Sequence, residues 1–202
     1  MASKPVENTQ KSRGLPRSPE LMSREDSALL VVDAQEKLLA AIPGRERIVW
    51  NIRRLLDAAA ALGVPFAATE QYPDRLSPTV PELKERIGPA PDKLCFSACV
   101  CGDIFEEWSK VNRSRVLVCG IESHVCILQT ALDLVAAGFD TYVAVDAVGA
   151  RYAIDHETAL RRMESAGVIL TTTETAMFEW CRTAEAPEFK QISALAKEKP
   201  PI

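Results

Sequence analysis

No stretch of this sequence is apolar for the roughly 20 residues that a membrane-spanning helix requires. The longest apolar runs, such as the one around Ala58–Leu62, fall well short, so no membrane partner is expected. Positive charge is also in short supply, with 24 Lys and Arg against 28 Asp and Glu and a formal net charge of −4. A chain without a basic field has nothing to draw phosphate backbones to its surface, so nucleic acid is not expected as a partner. The first twenty residues, MASKPVENTQKSRGLPRSPE, lack the apolar core of a secretory signal. Residues 1–20 read as a mobile or loosely docked tail, ahead of one domain over residues 21–202. Internal repeats and low-complexity tracts are absent.

What is present is an ordinary globular balance, 47% hydrophobic and 26% charged residues, which implies a packed core. Six cysteines, several of them inside apolar runs, suit a reducing cytosol in which free thiols pack as small hydrophobes. A cytoplasmic location is therefore the expectation.

Apolar stretches of strand length recur at Ala28–Val32, Val64–Ala68, Val116–Cys119, Thr141–Val145 and Val168–Thr171. Helix-period segments lie between most of them, at Arg45–Leu62, Val80–Ile87, Asp103–Lys110, from Ser123 to just before Gly138, Asp155–Ala166, Thr173–Cys181 and Glu188–Ala196. Strands with no polar alternation need helices on both faces of their sheet. The expected architecture is a three-layer α/β/α sandwich around a mainly parallel, Rossmann-like six-stranded sheet.

Ligands of such sheets bind beyond the carboxyl ends of the strands, so polar residues that follow apolar strands are the first candidates for chemistry. Asp33 follows Leu29-Leu30-Val31-Val32, Lys93 opens Lys93-Leu94-Cys95-Phe96-Ser97, and Cys126 comes one turn after Val118-Cys119-Gly120. Each has a plain structural reading: a turn cap, a solvated amine, a core thiol. If Ser123 is an N-cap, Cys126 lies in the first helical turn, where the dipole favours a thiolate and lowers the thiol pKa. An acid to accept the proton and a cation beside the sulfur would complete an activated nucleophile.

The segments Ser27-Ala28-Leu29-Leu30-Val31-Val32-Asp33-Ala34-Gln35, Lys93-x-x-x-Ser97 and Gly120-Ile121-Glu122-Ser123-His124-Val125-Cys126 together resemble the isochorismatase-like cysteine hydrolases. The resemblance runs from about Leu21 to Lys197. Thr69-Glu70-Gln71-Tyr72-Pro73, Pro78-Thr79-Val80-Pro81-Glu82-Leu83 and Cys95-Phe96-Ser97 look like the isochorismatase domain-containing subgroup. The resemblance implies a triad in which Asp33 takes the thiol proton, Lys93 holds the thiolate and orients the acid, and Cys126 attacks an electrophilic carbon. It also implies a non-proline cis peptide at Ile121–Glu122 that aims backbone N–H groups at an oxyanion, and a homo-oligomer with Trp108, Phe178 and Trp180 as interface anchors. For those aromatics a monomer core is the competing reading.

The departures narrow the chemistry. Zinc-dependent nicotinamidases of the superfamily carry an Asp-x-His pair and a further His after the second strand, where this chain has Glu70-Gln71-Tyr72 and, in total, only His124 and His156. No zinc site of that type can form, and neither metal nor cofactor is expected. Isochorismatases that cleave vinyl ethers through the acid often lack the cysteine, so Cys126 points to acyl or C–N hydrolysis.

Other residues carry two readings. Cys95, Cys99 and Cys101 hint at a metal cluster but have no fourth ligand at structural spacing, so core or subunit-contact thiols fit better. Gln35, Glu70, Gln71, Tyr72 and His124 are candidates for lining a substrate pocket, although Tyr72 before Pro73 also suits turn packing and His124 a helix start. Arg151 would read a substrate carboxylate or pair with a local acid, and His156 is read as a surface residue. The expected function is hydrolysis of a small amide or related acyl substrate. The alternatives are acid-catalysed vinyl-ether cleavage through Asp33 and a non-catalytic binding or scaffold role.

Overall fold

A computed structural model describes residues 15–201. Six strands form one all-parallel sheet in the order β3-β2-β1-β4-β5-β6. They are β1 (Ser27–Val32), β2 (Phe66–Gln71), β3 (Asp92–Lys93), β4 (Arg115–Ile121), β5 (Asp140–Gly149) and β6 (Ile169–Thr171). The helices are α1 (Glu36–Leu39), α2 (Arg45–Leu62), α3 (Pro73–Leu76), α4 (Pro81–Ile87), α5 (Gly102–Lys110), α6 (Leu128–Ala136), α7 (Ala153–Ser165), α8 (Thr173–Cys181) and α9 (Phe189–Ala196).

All six residues of β1 are buried, because alternate side chains enter opposite layers. Leu29 and Val31 pack with Ile52, Leu55, Leu56 and Ala59 of α2, Met177 and Trp180 of α8, and Ile192 of α9. Ala28, Leu30 and Val32 pack with Phe105 and Trp108 of α5, Ala131 and Leu134 of α6, and Met163 of α7. The α/β/α sandwich expected from uninterrupted apolar strands is thus the architecture found. At the end of α2, Gly63 adopts φ 69° and its N–H bonds to the Ala59 carbonyl, the left-handed stop anticipated from its position.

Several boundaries moved for physical reasons. β2 begins at Phe66, with Val64 buried ahead of it, and runs to Gln71, since Glu70 and Gln71 pair with Asp92 and Lys93 of the edge strand. Glu70 and Gln71 are therefore strand residues and not part of a following loop. β5 extends four residues beyond Val145, past an irregularity opposite Val118–Gly120 that realigns it with the end of β4. α7 starts two residues earlier than Asp155, which places His156 in its first turn.

The expected N-cap at Ser123 is not found. Ser123–Ile127 form a π-helical turn that precedes α6; Glu122 occupies the cap position and Ser123 is fully buried. Trp108 and Trp180 are buried in the two cores and do not serve as interface anchors; Phe178 is 39% exposed. Of the amino-terminal tail, residues 1–14 lie outside the described residues. Beyond them the chain is tied down: Arg17 donates to the carbonyls of Met22 and Glu179, and the Tyr142 hydroxyl donates to the Glu20 carbonyl.

Candidate active site

Strand order reverses direction at β1 and β4, and at such a switch point the chain segments beyond the strand ends diverge to leave room for a ligand. Asp33 leaves β1 there, and the Cys126 turn leaves β4. The two strands approach closely because residue 120 is glycine: a Cβ at Gly120, whose φ is 118°, would sit 2.0 Å from the Val32 carbonyl oxygen. The Ile121–Glu122 peptide bond that follows is cis.

Asp33 adopts the left-handed region at φ 52°, and its N–H donates to the Thr69 carbonyl at 3.1 Å. The Thr69 hydroxyl donates to Asp33 Oδ1 at 2.8 Å, and Lys93 Nζ donates to Asp33 Oδ2 at 2.7 Å. Both side chains of the ion pair are fully buried. Lys93 Nζ also reaches Gln71 Oε1 at 2.7 Å and the carbonyls of Phe96 at 2.9 Å and Cys95 at 3.2 Å. A nitrogen among four acceptors suits an ammonium, which donates three hydrogens and accepts none.

Gln71 is held in turn. Its Nε2 donates to the Leu94 carbonyl at 2.8 Å, and its N–H donates to Gln35 Oε1 at 2.7 Å. Gln35 Nε2 returns to the Gln71 carbonyl at 3.0 Å and reaches the Ser77 carbonyl at 2.6 Å. Gln35 and Gln71, read from sequence as pocket residues, thus support Lys93. Glu70 Oε1 accepts from both the N–H and the hydroxyl of Thr79, at 2.7 and 2.8 Å, so it anchors the loop ahead of α4. Tyr72 has φ 38° and is 43% exposed beside this network.

Cys126 is 5% exposed and lies beside the pair, close enough for its protonation to couple to both members. Burial, then the charge of Asp33, push the thiol well above its ordinary value, against the pull of Lys93. This reverses the expected thiolate, which assumed a solvated first turn of an α-helix. Burial likewise raises the Asp33 carboxyl, opposed chiefly by Lys93. Both shifts run in the same direction, favouring the proton-bound form of the thiol and raising the proton affinity of the Asp33 carboxyl beside it.

The remaining candidates sit around the turn that carries Cys126. Arg151 Nε pairs with Glu122 Oε2 at 3.0 Å, the local ion pair anticipated as the alternative to a substrate contact. His124 Nε2 lies 3.9 Å from Asp155 Oδ2. His156, read as a surface residue, is half-buried with Nδ1 3.1 Å from Ser123 Oγ. Cys95 is exposed, while Cys99 and Cys101 are partly buried, so a core reading fails for Cys95. Among the described residues no group of three or more His, Cys, Asp or Glu is arranged to hold a metal ion.

Sequence reasoning missed Thr69 as part of the site and the buried role of Ser123. Thr69 pairs in register with Val32 at the end of the neighbouring strand, and a hydroxyl there, next to a buried acid, was the available signal. A cleft of about 510 Å³ lined by Leu39, Val49, Trp50, Val80 and Pro81 has none of Asp33, Lys93 or Cys126 in its wall.

A three-layer fold that sets a buried acid just after β1, a buried amine at the end of β3 and a buried thiol after β4 defines a class of α/β proteins with a polar site at the carboxyl ends of the strands. The chain belongs to the isochorismatase-domain family, whose model matches residues 27–175. It is 42% identical over 178 residues to isochorismatase domain-containing protein 2A of Mus musculus, an alignment covering 88% of this chain and 85% of that protein. It is 36% identical to a secreted isochorismatase effector of Phytophthora sojae, with 85% of each chain covered. Among solved structures, one described as the Mar1 ribonuclease of Caenorhabditis elegans is 38% identical, with TM-score 0.83, covering 90% of this chain and 95% of that one. The YcaC protein of Escherichia coli, described as an octameric hydrolase of unknown specificity, is 25% identical with TM-score 0.80, covering 89% and 91%. Membership carries a hydrolase fold, and no described helix is long and apolar enough to cross a membrane.

Proposed function

We propose that this protein is a cysteine hydrolase that cleaves a small amide or related acyl substrate through Asp33, Lys93 and Cys126, without metal or cofactor. The observation that carries the reading is the buried Lys93–Asp33 contact of 2.7 Å beside a buried thiol. Burying two charges costs several kcal/mol per ion before their attraction is counted, a large outlay for structure alone. In the proposed reaction the Cys126 proton passes to Asp33 as sulfur bonds to the carbonyl carbon. Lys93 keeps the carboxylate aimed, and backbone N–H groups at the Cys126 turn bind the developing oxyanion. The leaving group departs with the proton from Asp33, and water then releases the acyl group from sulfur with Asp33 as base.

The protein would act as a homo-oligomer, a reading supported by the octameric relative and by exposed apolar side chains such as Leu94, Phe96 and Ile154. The six free thiols suit a reducing compartment, and the net charge of −4 favours a small substrate over a polyanion. Acid-quenched intact-mass spectrometry with p-nitrophenyl acetate tests the chemistry. One acetyl group should be found on Cys126 and lost in Cys126→Ala. If Cys126→Ala instead keeps hydrolytic turnover on a vinyl ether while Asp33→Asn abolishes it, the acid-only reaction replaces this reading, and the burial-raised Asp33 carboxyl favours that rival.

A further inference from the structure

Three consecutive residues leading into the nucleophile's turn are each met by a side chain from one short segment at the start of α7. Glu122 Oε2 pairs with Arg151 Nε at 3.0 Å and accepts the Arg151 backbone N–H at 3.4 Å. Ser123 Oγ lies 3.1 Å from His156 Nδ1, and His124 Nε2 lies 3.9 Å from Asp155 Oδ2. Within the turn, the Leu128 N–H donates to the Ser123 and Val125 carbonyls. Glu122 makes no side-chain cap, and its carbonyl serves two N–H groups, those of Val125 at 3.0 Å and Ile127 at 3.2 Å.

The central contact is the one between Ser123 and His156. Ser123 is fully buried, and among the described residues no other side chain meets its hydroxyl. Burial holds the His156 imidazole below its usual titration range, against the opposing charge of Glu157. A neutral ring with its proton assigned to Nε2 presents Nδ1 as the acceptor that the Ser123 hydroxyl needs. Ser123 is three residues from Cys126, so any slackness in this bond displaces the sulfur relative to Asp33. Proton transfer demands alignment at hydrogen-bond distance.

We propose that His156, assisted by Arg151 and Asp155, is a positioning residue for Cys126: through Ser123 it holds the π-turn so that the thiol stays aligned with Asp33. The proposal rests on the reading of Cys126 as nucleophile, and the two can be separated.

The test measures iodoacetamide alkylation of each cysteine by peptide mass spectrometry in intact wild-type protein and in His156→Ala, Ser123→Ala, the double variant and His156→Asn. The exposed Cys95 serves as internal control. Each alanine variant should slow Cys126 about five- to tenfold, as loss of one buried hydrogen bond implies, and the double variant should be no slower than either single. His156→Asn, whose amide oxygen can occupy the place of Nδ1, should recover most of the rate. General loosening gives the opposite sign, since a buried thiol that gains exposure reacts faster. A fast wild-type Cys126 that is unchanged or accelerated in all the variants overturns the positioning role alone. A wild-type Cys126 no faster than buried Cys119 and Cys181 overturns the nucleophile reading and this proposal with it.

Discussion

Replacing Lys93 by methionine keeps most of the side chain's volume and removes only its charge and donors. Asp33 would then be a fully buried carboxylate left with the Thr69 hydroxyl and the neutral Cys126 thiol beside it, and no cation. Gln71 Oε1 and the carbonyls of Cys95 and Phe96 would lose their shared donor. Removing one partner of a buried ion pair costs about 3–5 kcal/mol, which for a domain of this size lowers the melting temperature by roughly 6–20 °C at about 2–4 °C per kcal/mol. The loss should depend on pH. Without Lys93 the folded state raises the Asp33 carboxyl further above its unfolded value, so the folded state binds the proton more tightly. Stability of the variant relative to wild type is then best below about pH 3.9, the unfolded carboxyl value, and falls as pH rises through the folded one. Urea denaturation across pH reads both effects. The double variant Asp33→Leu with Lys93→Met should be more stable than Lys93→Met alone, because it removes the stranded charge. A single-variant cost below about 1 kcal/mol, the range of an exposed pair, refutes the reasoning.

Gly120→Ala forces a Cβ to 2.0 Å from the Val32 carbonyl at φ 118°; it should cost more than about 3 kcal/mol in urea denaturation, and near-wild-type stability would show that β1 and β4 do not meet as described. Thr69→Val removes the donor to Asp33 Oδ1 and should cost about 1–3 kcal/mol, with slower Cys126 alkylation as its second sign. His156 is held neutral by burial, so the unfolded chain binds its proton more readily than the folded one. That contribution to stability is complete above about pH 6.5 and is lost as pH falls through the lower folded value. Urea midpoints measured on either side of that value should diverge less in His156→Asn than in wild type; equal divergence contradicts the assignment.

The strands were legible because a sheet covered on both faces leaves its strands apolar throughout, as Leu29-Leu30-Val31-Val32 shows. α2 was legible to the residue, with Gly63 able to adopt the left-handed stop. Asp33, Lys93 and Cys126 drew attention as polar groups after apolar strands, but their meeting depends on the crossover that sets β1 beside β4, which spacing along the chain does not contain. The reading of Ser123 as an N-cap failed because a serine before an apolar helix looks the same whether its hydroxyl caps the helix or turns inward to a histidine 33 residues away. The lowered thiol pKa failed with it: a helix-dipole argument assumes solvent, whereas burial governs Cys126. Trp108 and Trp180 were open to two readings for the same reason, since composition does not tell a core face from an oligomer face. Thr69 was missed because a single hydroxyl in a strand carries no periodic signal.

The measurement closest to the central claim is the pH profile of iodoacetamide alkylation for all six thiols, read by peptide mass spectrometry in wild type and in Asp33→Asn. In the proposed reaction the proton leaves Cys126 for Asp33 as sulfur attacks. Cys126 should therefore label faster than buried Cys119 and Cys181, its rate should rise with the titration of Asp33, which burial places above the usual carboxylate value of about 3.9, and Asp33→Asn should remove the advantage. A Cys126 that labels no faster than Cys119 and Cys181, or whose rate is indifferent to Asp33→Asn, would contradict the account.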